Sequence, residues 1–371
     1  MGPKVSIVRA DSYDTGKVCS AVKEAVDLVG GISAFVKKGE KILLKPNVLS
    51  SRPPESGVNT HPEVLRAVIR LVKGAGAEII VGDSPGGMGQ RDAGSTYGES
   101  GIKKVCEEEG VRLVDFDKAQ NIKGMPISVW AKEADGVISV PKMKTHDLMT
   151  LTGALKNSYG LAIGQFKSDC HLKAPRPDEF AKLAIDVFET AIPRLVVMDG
   201  IVAMEGNGPA AGELRRANLV MASNDCVACD AVYAGLVGIE PLRLPITAEA
   251  YKRKLGEADL SKIEVLGETI EGARIRGFKL PATSIMMKVP KPVFKWLSKA
   301  IRFFPVINDK ICKKCLICEK SCPAKCITIK EEGSRIDYRR CIKCFCCHEL
   351  CPHAAISVGR SFLAKMFGKM V

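Results

Sequence analysis

The sequence predicts an α/β domain over residues 1–280, a connector over residues 281–305 and a small cysteine-rich α+β domain over residues 306–359. Two observations lead to this organisation. Strand-like and helix-like patterns alternate from residue 1 to residue 280, which favours a mostly parallel sheet covered by helices. Ten of the 15 cysteines follow residue 311, so the end of the chain differs chemically from its body.

The elements of the large domain follow one another at regular intervals. Thr60 is the predicted N-cap of the second helix, because Pro62 suits a first helical turn. Residues 252–280 are less regular. The predicted strands cover residues 4–9, 41–44, 78–81, 111–116, 136–140, 195–198 and 219–222. The predicted helices cover residues 15–29, 62–74, 102–109, 179–191 and 226–236.

The connector contains four prolines, and an amphipathic helix is predicted within it over residues 293–304. Residues 360–371 repeat this pattern as a basic amphipathic tail. Basic amphipathic helices lie on membrane surfaces or pack onto their own domain, and the sequence leaves both arrangements open.

Two cysteine runs with the same spacing lie near the C-terminus, and each is followed by proline. A C-x2-C-x2-C loop wraps three thiolates around one 4Fe-4S cluster, and the fourth cysteine ligates the other cluster. The spacing therefore predicts two 4Fe-4S clusters. Cluster 1 is assigned to Cys312, Cys315, Cys318 and Cys351, and cluster 2 to Cys341, Cys344, Cys347 and Cys322.

Disulfides and structural zinc are the alternatives for these cysteines. Disulfides do not explain the duplicated spacing, and zinc sites usually use two separated C-x2-C pairs. Two further cysteines, Cys326 and Cys346, are alternative ligands or small buried side chains beside the clusters.

Residues 308–358 resemble the bacterial two-cluster ferredoxin family through these two runs. The resemblance implies a small α+β domain in which each half has a cluster loop, a fourth cysteine and a β-hairpin. Residues 327–330 and 335–338 flank a turn at 331–334 and are the predicted strands of one hairpin.

The excess of basic over acidic residues is concentrated after residue 280. Residues 281–371 contain 18 Lys and Arg against 6 Asp and Glu, whereas residues 1–280 contain 37 against 36. The clusters offset part of this surplus. For the remainder we expect an acidic redox partner protein or an anionic membrane surface. Nucleic acid is not expected, because no recognition module is visible.

The sequence shows neither a signal peptide nor an apolar run of transmembrane length. Iron–sulfur ligands must stay reduced, so a cytoplasmic location is expected. Peripheral membrane contact through the basic segments is compatible with it.

Several polar segments follow predicted strands, where open α/β sheets bind ligands. Histidines and lysines together suit an anionic substrate that takes up protons along with electrons. The alternative for each residue is a local structural role or a solvated lysine. The predicted catalytic residues are His61, His146 and Lys142, and the predicted cofactor-binding residues are Lys45, Asn47, Asp83, Lys144 and Lys156.

Nucleotide-binding fingerprints are missing from the large domain. Gly82 and Gly87 have P-loop spacing, but Met88 stands where the phosphate-binding lysine is needed. No G-x-G-x-x-G pattern occurs. These observations argue against an ATPase and against an ordinary nicotinamide dehydrogenase.

Five segments of the large domain resemble the family known as domain of unknown function 362, which is often fused to a two-cluster ferredoxin. The resemblance spans about residues 40–235 and implies no particular reaction. The order of helices, strands and loops in the large domain is also similar to that of the lactate racemase N-terminal domain. The matching segments are Leu44-Lys45-Pro46-Asn47, residues 59–65, residues 82–86, residues 141–146 and residues 153–157.

These observations lead to three functional hypotheses. The first is an oxidoreductase in which the clusters pass single electrons to a site in the α/β domain. The second is an electron carrier or assembly protein that uses the α/β domain for docking. The third is a metal-cofactor enzyme similar to lactate racemase.

Overall fold

The computed structural model describes residues 2–86, 93–164, 166–284 and 302–361. The described helices are α1 (Thr15–Leu28), α2 (Pro62–Gly74), α3 (Ala93–Glu99), α4 (Ile102–Glu108), α5 (Trp130–Glu133), α6 (Ala154–Asn157), α7 (Phe166–Lys173), α8 (Pro177–Phe188), α9 (Cys226–Leu236), α10 (Pro245–Lys252), α11 (Ile317–Lys320) and α12 (Cys346–Leu350). The described strands are β1 (Lys4–Arg9), β2 (Lys41–Pro46), β3 (Glu78–Val81), β4 (Arg112–Leu113), β5 (Ala119–Ile122), β6 (Met125–Ser128), β7 (Gly136–Val140), β8 (Lys142–His146), β9 (Thr150–Thr152), β10 (Leu195–Glu205), β11 (Glu213–Ser223), β12 (Glu264–Gly267), β13 (Phe303–Ile307), β14 (Ile327–Lys330), β15 (Gly333–Ile336) and β16 (Ile356–Arg360).

A ten-stranded sheet forms the centre of the large domain, with the order β12-β1-β11-β10-β7-β2-β3-β4 and with β8 and β9 branching from β10. The run from β10 through β7, β2 and β3 to β4 is parallel. Antiparallel pairing in this sheet is limited to the partners of β11 and to the β8–β9 pair. The predicted mostly parallel α/β fold is therefore confirmed.

Helices cover both faces of this sheet, because successive strand residues point to opposite sides. On β2, Ile42 and Leu44 are buried in one core with apolar residues of α1 and α2. Leu43, between them, is buried in the other core with residues of α8 and α9. Burial on both faces explains why the parallel strands are continuously apolar rather than alternating.

The polar segment at residues 142–146 differs from its prediction as a loop, because it is the fully buried strand β8. It forms because β10 continues to Glu205, past an irregularity between Gly200 and Val202, and offers a new edge for pairing. The predicted strand at 195–198 was therefore too short, and the predicted strand at 111–116 is reduced to β4.

The N-cap of α2 was also predicted wrongly. His61 occupies that position, and its side chain accepts a hydrogen bond from the backbone of Glu63. Thr60 instead donates its hydroxyl proton to the Val140 carbonyl oxygen at 2.6 Å, which links α2 to the end of β7. Because the Thr60 hydroxyl bonds to β7, His61 rather than Thr60 caps the helix.

The cysteine-rich segment consists of two halves with corresponding positions. Cys312 begins the first cysteine run and corresponds to Cys341, which begins the second. Helices α11 and α12 begin at equivalent positions, and β13 pairs with β16 while β14 pairs with β15. The second strand of the hairpin begins at Gly333, ahead of the predicted start at 335. Left-handed backbone conformations recur in register: Lys314, Leu316 and Lys325 have φ of 51°, 62° and 46°, and Lys343, Phe345 and Ala354 have φ of 59°, 62° and 49°.

Most of the predicted connector and tail helices, at residues 285–301 and 362–371, lies outside the described residues. Phe304, predicted at the end of the connector helix, lies in β13 instead. Among the described residues, no helix has the length and apolar character needed to cross a bilayer.

Gly153 lies against a buried carboxylate at the start of α6. Both Asp230 oxygens accept backbone hydrogen bonds there, from Ala154 at 2.7 Å and from Leu155 at 3.1 Å. A Cβ on Gly153 would overlap the Asp230 carboxylate. We expect Gly153→Ala to lower the free energy of unfolding by about 1–3 kcal/mol, as overpacking does. Chemical denaturation measures this change.

The matched control is Gly74→Ala, because nothing lies within 4 Å of a Cβ at that helical position. That variant is expected to be neutral or slightly stabilising. Equal stability of the Gly153 variant and the wild type would show that the Asp230 contact does not constrain the fold.

Candidate functional site

A cavity of about 110 Å³ lies where the carboxyl ends of β2, β3 and β7 meet helix α12 of the cysteine-rich segment. We call it the lysine cavity. Six of the eight residues predicted for the large domain line it: Asn47, Asp83, Lys142, Lys144, His146 and Lys156. The structure therefore brings these side chains together from segments far apart in the chain.

Lys45 lies directly behind the cavity wall in a buried ion pair. Its amine is 2.6 Å from Oδ1 of Asp83, and it also donates to Oδ1 of Asn157 at 3.2 Å. Asp83 accepts a second hydrogen bond from the backbone of Val48 at 2.7 Å. This network holds the loops after β2 and β3 together and fixes the orientation of Asp83.

Asn47 also serves the loop conformation, since its side-chain amide donates to the Val58 carbonyl at 3.0 Å. Its backbone amide donates to the Thr60 hydroxyl at 2.8 Å. These contacts tie the end of β2 to the segment that precedes α2, and they place Asn47 on the cavity wall.

Lys142 is held by a second buried ion pair, with Asp199 of β10. Its amine lies 2.8 Å from Oδ2 of Asp199 and donates to the Tyr13 hydroxyl at 2.7 Å. Tyr13 in turn donates to the other Asp199 oxygen at 2.9 Å. The ring of His61 stacks on Tyr13 with centroids 3.5 Å apart. His61 therefore supports this network and the start of α2, and it does not line the lysine cavity.

Three further lysines on the cavity wall have no carboxylate partner within ion-pair distance among the described residues. Lys144 donates to the Val58 carbonyl at 2.7 Å, and Lys167 donates to the Ser84 carbonyl at 2.7 Å. Lys156 lies over the Tyr159 ring, 4.7 Å from its centroid. Burial lowers the pKa of Lys144 to about 7 and that of Lys167 to about 8, and it also lowers the pKa of Lys156.

His146 and Glu349 face each other across the boundary between the large domain and the cysteine-rich segment, with Nε2 and Oε1 3.2 Å apart. The backbone amide of Leu148 donates to His146 Nδ1 at 3.1 Å, so the neutral ring carries its proton on Nε2. Burial lowers the pKa of His146 well below its usual range and raises that of Glu349.

Neighbouring contacts hold helix α12 in this position. His348 Nδ1 lies 3.0 Å from Oδ2 of Asp147, with both side chains buried. Arg52 donates to the Cys351 carbonyl at 3.0 Å. A Cβ on Gly86 would lie only 2.7 Å from the Leu350 side chain, so the two segments are in close contact there. The cysteine-rich segment thus forms one wall of the lysine cavity.

Sequence reasoning missed Lys167, Glu349 and the partner role of Asp199. Lys167 lies on α7, a helix whose sequence has little amphipathic pattern. Glu349 is hidden within the second cysteine run. A pairing between Asp199 and Lys142 follows only from the β10–β8 register, in which these residues are opposite each other.

The cysteines of the first proposed set lie around one small cavity, which Cys312, Cys315, Cys318 and Cys351 all line. Burial, reinforced by the charges of Cys351, Cys315 and Cys312, raises the pKa of Cys318 to about 12. Such a group of thiols stays protonated unless a cation compensates the thiolate charges.

The second set shows the same grouping. Burial raises the pKa of Cys347 well above its usual range, and the charges of Cys344, Cys341 and Cys322, together with that of Cys318 from the first set, act on it in the same direction. Cys326 lies beside this set, with its sulfur 3.5 Å from that of Cys322. Cys346 lines the lysine cavity.

Among the described residues, no disulfide joins any two of the 15 cysteines. Within the described ranges, no group of three or more His, Cys, Asp or Glu side chains is close enough to hold a single metal ion. A cubane cluster spreads its ligands over four iron atoms, so its thiolates stand farther apart than those around one ion.

Residues 42–235 match the family described as Domain of unknown function (DUF362), and the chain belongs to this family. The expectation of this family over about residues 40–235 is confirmed. The chain is 32% identical over 255 residues to the Thylakoid-associated protein sll1697 of Synechocystis sp., across 67% of this chain and 78% of that protein.

Among solved structures, the lactate racemase apoprotein from Thermoanaerobacterium thermosaccharolyticum overlaps this chain with a TM-score of 0.36 and 16% identity. The overlap covers 54% of this chain and about half, 51%, of that protein. At this TM-score the overlap carries no argument about function.

Replacement of Lys144, one of the three lysines without a carboxylate partner among the described residues, is expected to change the free energy of unfolding in the opposite direction to replacement of the paired Lys142. The unfolded chain holds the Lys144 proton up to the ordinary lysine pKa of 10.5, whereas the folded pKa is about 7, so folding releases a proton between these values. We expect Lys144→Met to stabilise the protein by about 1–2 kcal/mol at pH 7. The gain shrinks as pH rises towards 10, and denaturation at several pH values measures it.

Lys142→Met is the matched control, because it leaves Asp199 buried without its cation. That variant is expected to destabilise the protein by about 3–5 kcal/mol. If both methionine variants lower stability to a similar extent, Lys144 is not an uncompensated buried cation.

Proposed function

We propose that this member of the DUF362 family is an iron–sulfur oxidoreductase that delivers single electrons to an anionic ligand in the lysine cavity. The observation that carries the proposal is the position of α12, which belongs to the second cysteine loop and also lines the cavity through Cys346 and Glu349. This position sets the proposed electron source against the proposed substrate site.

The cysteine-rich segment fits two 4Fe-4S clusters in the crossed arrangement of a two-cluster ferredoxin. Cluster 1 would be held by Cys312, Cys315, Cys318 and Cys351, and cluster 2 by Cys341, Cys344, Cys347 and Cys322. The left-handed residues that recur at equivalent positions of the two halves support two equivalent loops, since the same unusual backbone shape is needed twice. When bound, such clusters supply electrons one at a time.

The electrostatics of the lysine cavity favour an anionic ligand. Four lysines line it, namely Lys142, Lys144, Lys156 and Lys167, against two carboxylates, Asp83 and Glu349. Lys142 is already paired with Asp199 behind the wall. A phosphate or carboxylate group would provide a counter-charge within ion-pair distance, which Lys144, Lys156 and Lys167 lack among the described residues.

The same groups can supply protons to a ligand that is being reduced. Lys144, with its pKa of about 7, holds an acidic proton on Nζ near neutral pH. His146 carries its proton on Nε2, towards Glu349. The chain thus combines a proposed electron source with proton donors, of which Lys144 titrates in the appropriate range.

The basic surplus supports an acidic redox partner as the source of electrons. Within residues 302–361 there are 12 Lys and Arg against 6 Asp and Glu. Peripheral contact of a cytoplasmic protein with an anionic membrane is the second possibility, because the relative in Synechocystis is named for association with thylakoids.

Anaerobically purified protein is expected to contain about eight iron and eight acid-labile sulfide per chain. In Cys322→Ala, loss is expected first at the cluster that also uses Cys341, Cys344 and Cys347. Iron analysis and electron paramagnetic resonance of the two reduced clusters measure these outcomes. Loss confined to the Cys312 set, or a chain without iron after reconstitution, would contradict the proposal.

Lys156→Met is expected to weaken inorganic phosphate binding about tenfold or more, because a charge-assisted hydrogen bond is lost. For the wild type, affinity should fall as pH rises from about 6.5 to 8.5, since Lys144 and Lys167 lose their protons with pKa values of about 7 and 8. Isothermal calorimetry measures both effects.

Lys118→Met is the matched control for charge loss at an exposed site of the large domain. It should bind phosphate as the wild type does. If neither variant changes binding, and no anionic ligand is found by mass spectrometry of the purified protein, the large domain acts as a docking module and the chain as an electron carrier.

A further inference from the structure

The two halves of the cysteine-rich segment have similar folds but different surroundings. Phe345 in the second half is only 5% exposed, and helix α12, which begins directly after it, contacts the large domain through Glu349. Its equivalent at the same place in the first half is Leu316, which is 37% exposed. The same geometric face is therefore buried in one half and open in the other.

Neighbouring positions show the same difference. Glu349 on α12 is buried against His146, whereas its equivalent, Lys320 on α11, is exposed. Cys344 is buried, whereas Cys315 is only half-buried. The first half thus presents to its surroundings the face that the second half uses to dock.

The open face combines an apolar centre with a positive rim. Ile311 and Leu316 are 44% and 37% exposed. Lys310, Lys313 and Lys320 are close to them along the chain, are exposed, and form no ion pair with another described residue. Lys314 is already paired with Glu331 at 2.8 Å. An apolar centre within a charged rim is the usual composition of a protein-docking surface.

We infer that this face, formed by Ile311, Lys313, Leu316 and Lys320, docks an acidic one-electron carrier protein. The inference rests on the proposed function and adds the point at which electrons enter. Charge complementarity favours an acidic partner, because the rim contains lysines without carboxylate partners among the described residues. Cys312 and Cys315 line the same cavity as Lys313 and Leu316 and are only half-buried.

The transfer is a single-electron step. The carrier's reduced cofactor is oxidised by one electron, and the group held by Cys312, Cys315, Cys318 and Cys351 is reduced by one. No proton or atom has to pass between the proteins. From there the second half, docked at the lysine cavity, is adjacent within the same segment.

The test uses the full-length, cluster-loaded protein and an acidic flavodoxin in its hydroquinone form. Stopped-flow absorbance gives the second-order rate constant for cluster reduction. For the Lys313→Glu/Lys320→Glu variant, we expect at least about a tenfold decrease at low ionic strength and a loss of salt dependence. Reduction by dithionite, which needs no docking, should be unchanged.

Two further variants separate charge from shape. Lys118→Glu/Lys123→Glu makes the same charge change at exposed positions of the large domain and should alter the rate less than about twofold. Leu316→Asn keeps the charge and suits the left-handed backbone at φ 62°. It should slow reduction by flavodoxin while leaving the salt dependence intact.

If iron analysis finds the clusters, three outcomes would still overturn the inference about the docking face. One is wild-type reduction kinetics in the Lys313→Glu/Lys320→Glu variant. Another is a loss of binding to phosphatidylglycerol vesicles in that variant with unchanged flavodoxin kinetics, which would assign the face to a membrane. The third is faster reduction after removal of residues 362–371, which would show that the chain's own tail covers the face. A protein without iron would instead refute the proposed function itself.

Discussion

The burial of lysine amines at the carboxyl edge of the sheet is the constraint on which the rest of the site depends. Lys45, Lys142 and Lys144 are each 2% exposed. A buried ammonium group is costly unless an anion lies close to it. The fold places carboxylates beside the first two lysines: Lys45 of β2 meets Asp83 in the loop after β3, and Lys142 of β8 meets Asp199 of β10.

Lys144 does not follow this rule, and this difference distinguishes a lysine available to a ligand from lysines that stabilise the fold. Its amine contacts a backbone carbonyl rather than a carboxylate. A chain selected only for stability has little reason to keep a buried cation without a counter-charge, whereas a ligand site often carries such a cost. The lysines at the cavity therefore form two groups. Lys45 and Lys142 are held in ion pairs and support the structure of the site, whereas Lys144, Lys156 and Lys167 have no carboxylate within ion-pair distance among the described residues.

Much of the fold was predictable from the sequence pattern, because apolar runs such as residues 42–44 and 79–81 are buried on both sides of a parallel sheet. The edge where polar segments meet was predictable for the same reason, since parallel strands end on one side. Strand β8 was not predictable from local pattern. Its lysines and histidine look like a solvent-exposed loop, and only pairing with the extension of β10 buries them.

Contacts between the two parts of the chain lay beyond sequence reasoning for a different reason. His348 and Glu349 stand within a cysteine motif whose spacing already has an explanation, so neither residue draws attention. Their pairing with Asp147 and His146 depends on how the second half of the segment meets the large domain. Internal repeats are most informative here, because a difference between equivalent positions cannot come from the local fold.

The different exposure of equivalent positions also distinguishes the two halves of the cysteine-rich segment from each other. If the repeat served only to hold two groups of thiols, equivalent positions would have similar exposure and similar side chains. Instead Phe345 is buried where Leu316 is exposed, and Glu349 faces a histidine where Lys320 faces outward. One half contacts the large domain, and the other exposes apolar residues together with nearby lysines that have no ion-pair partner among the described residues. An asymmetric environment for two similar halves is what a relay between an external donor and an internal acceptor requires.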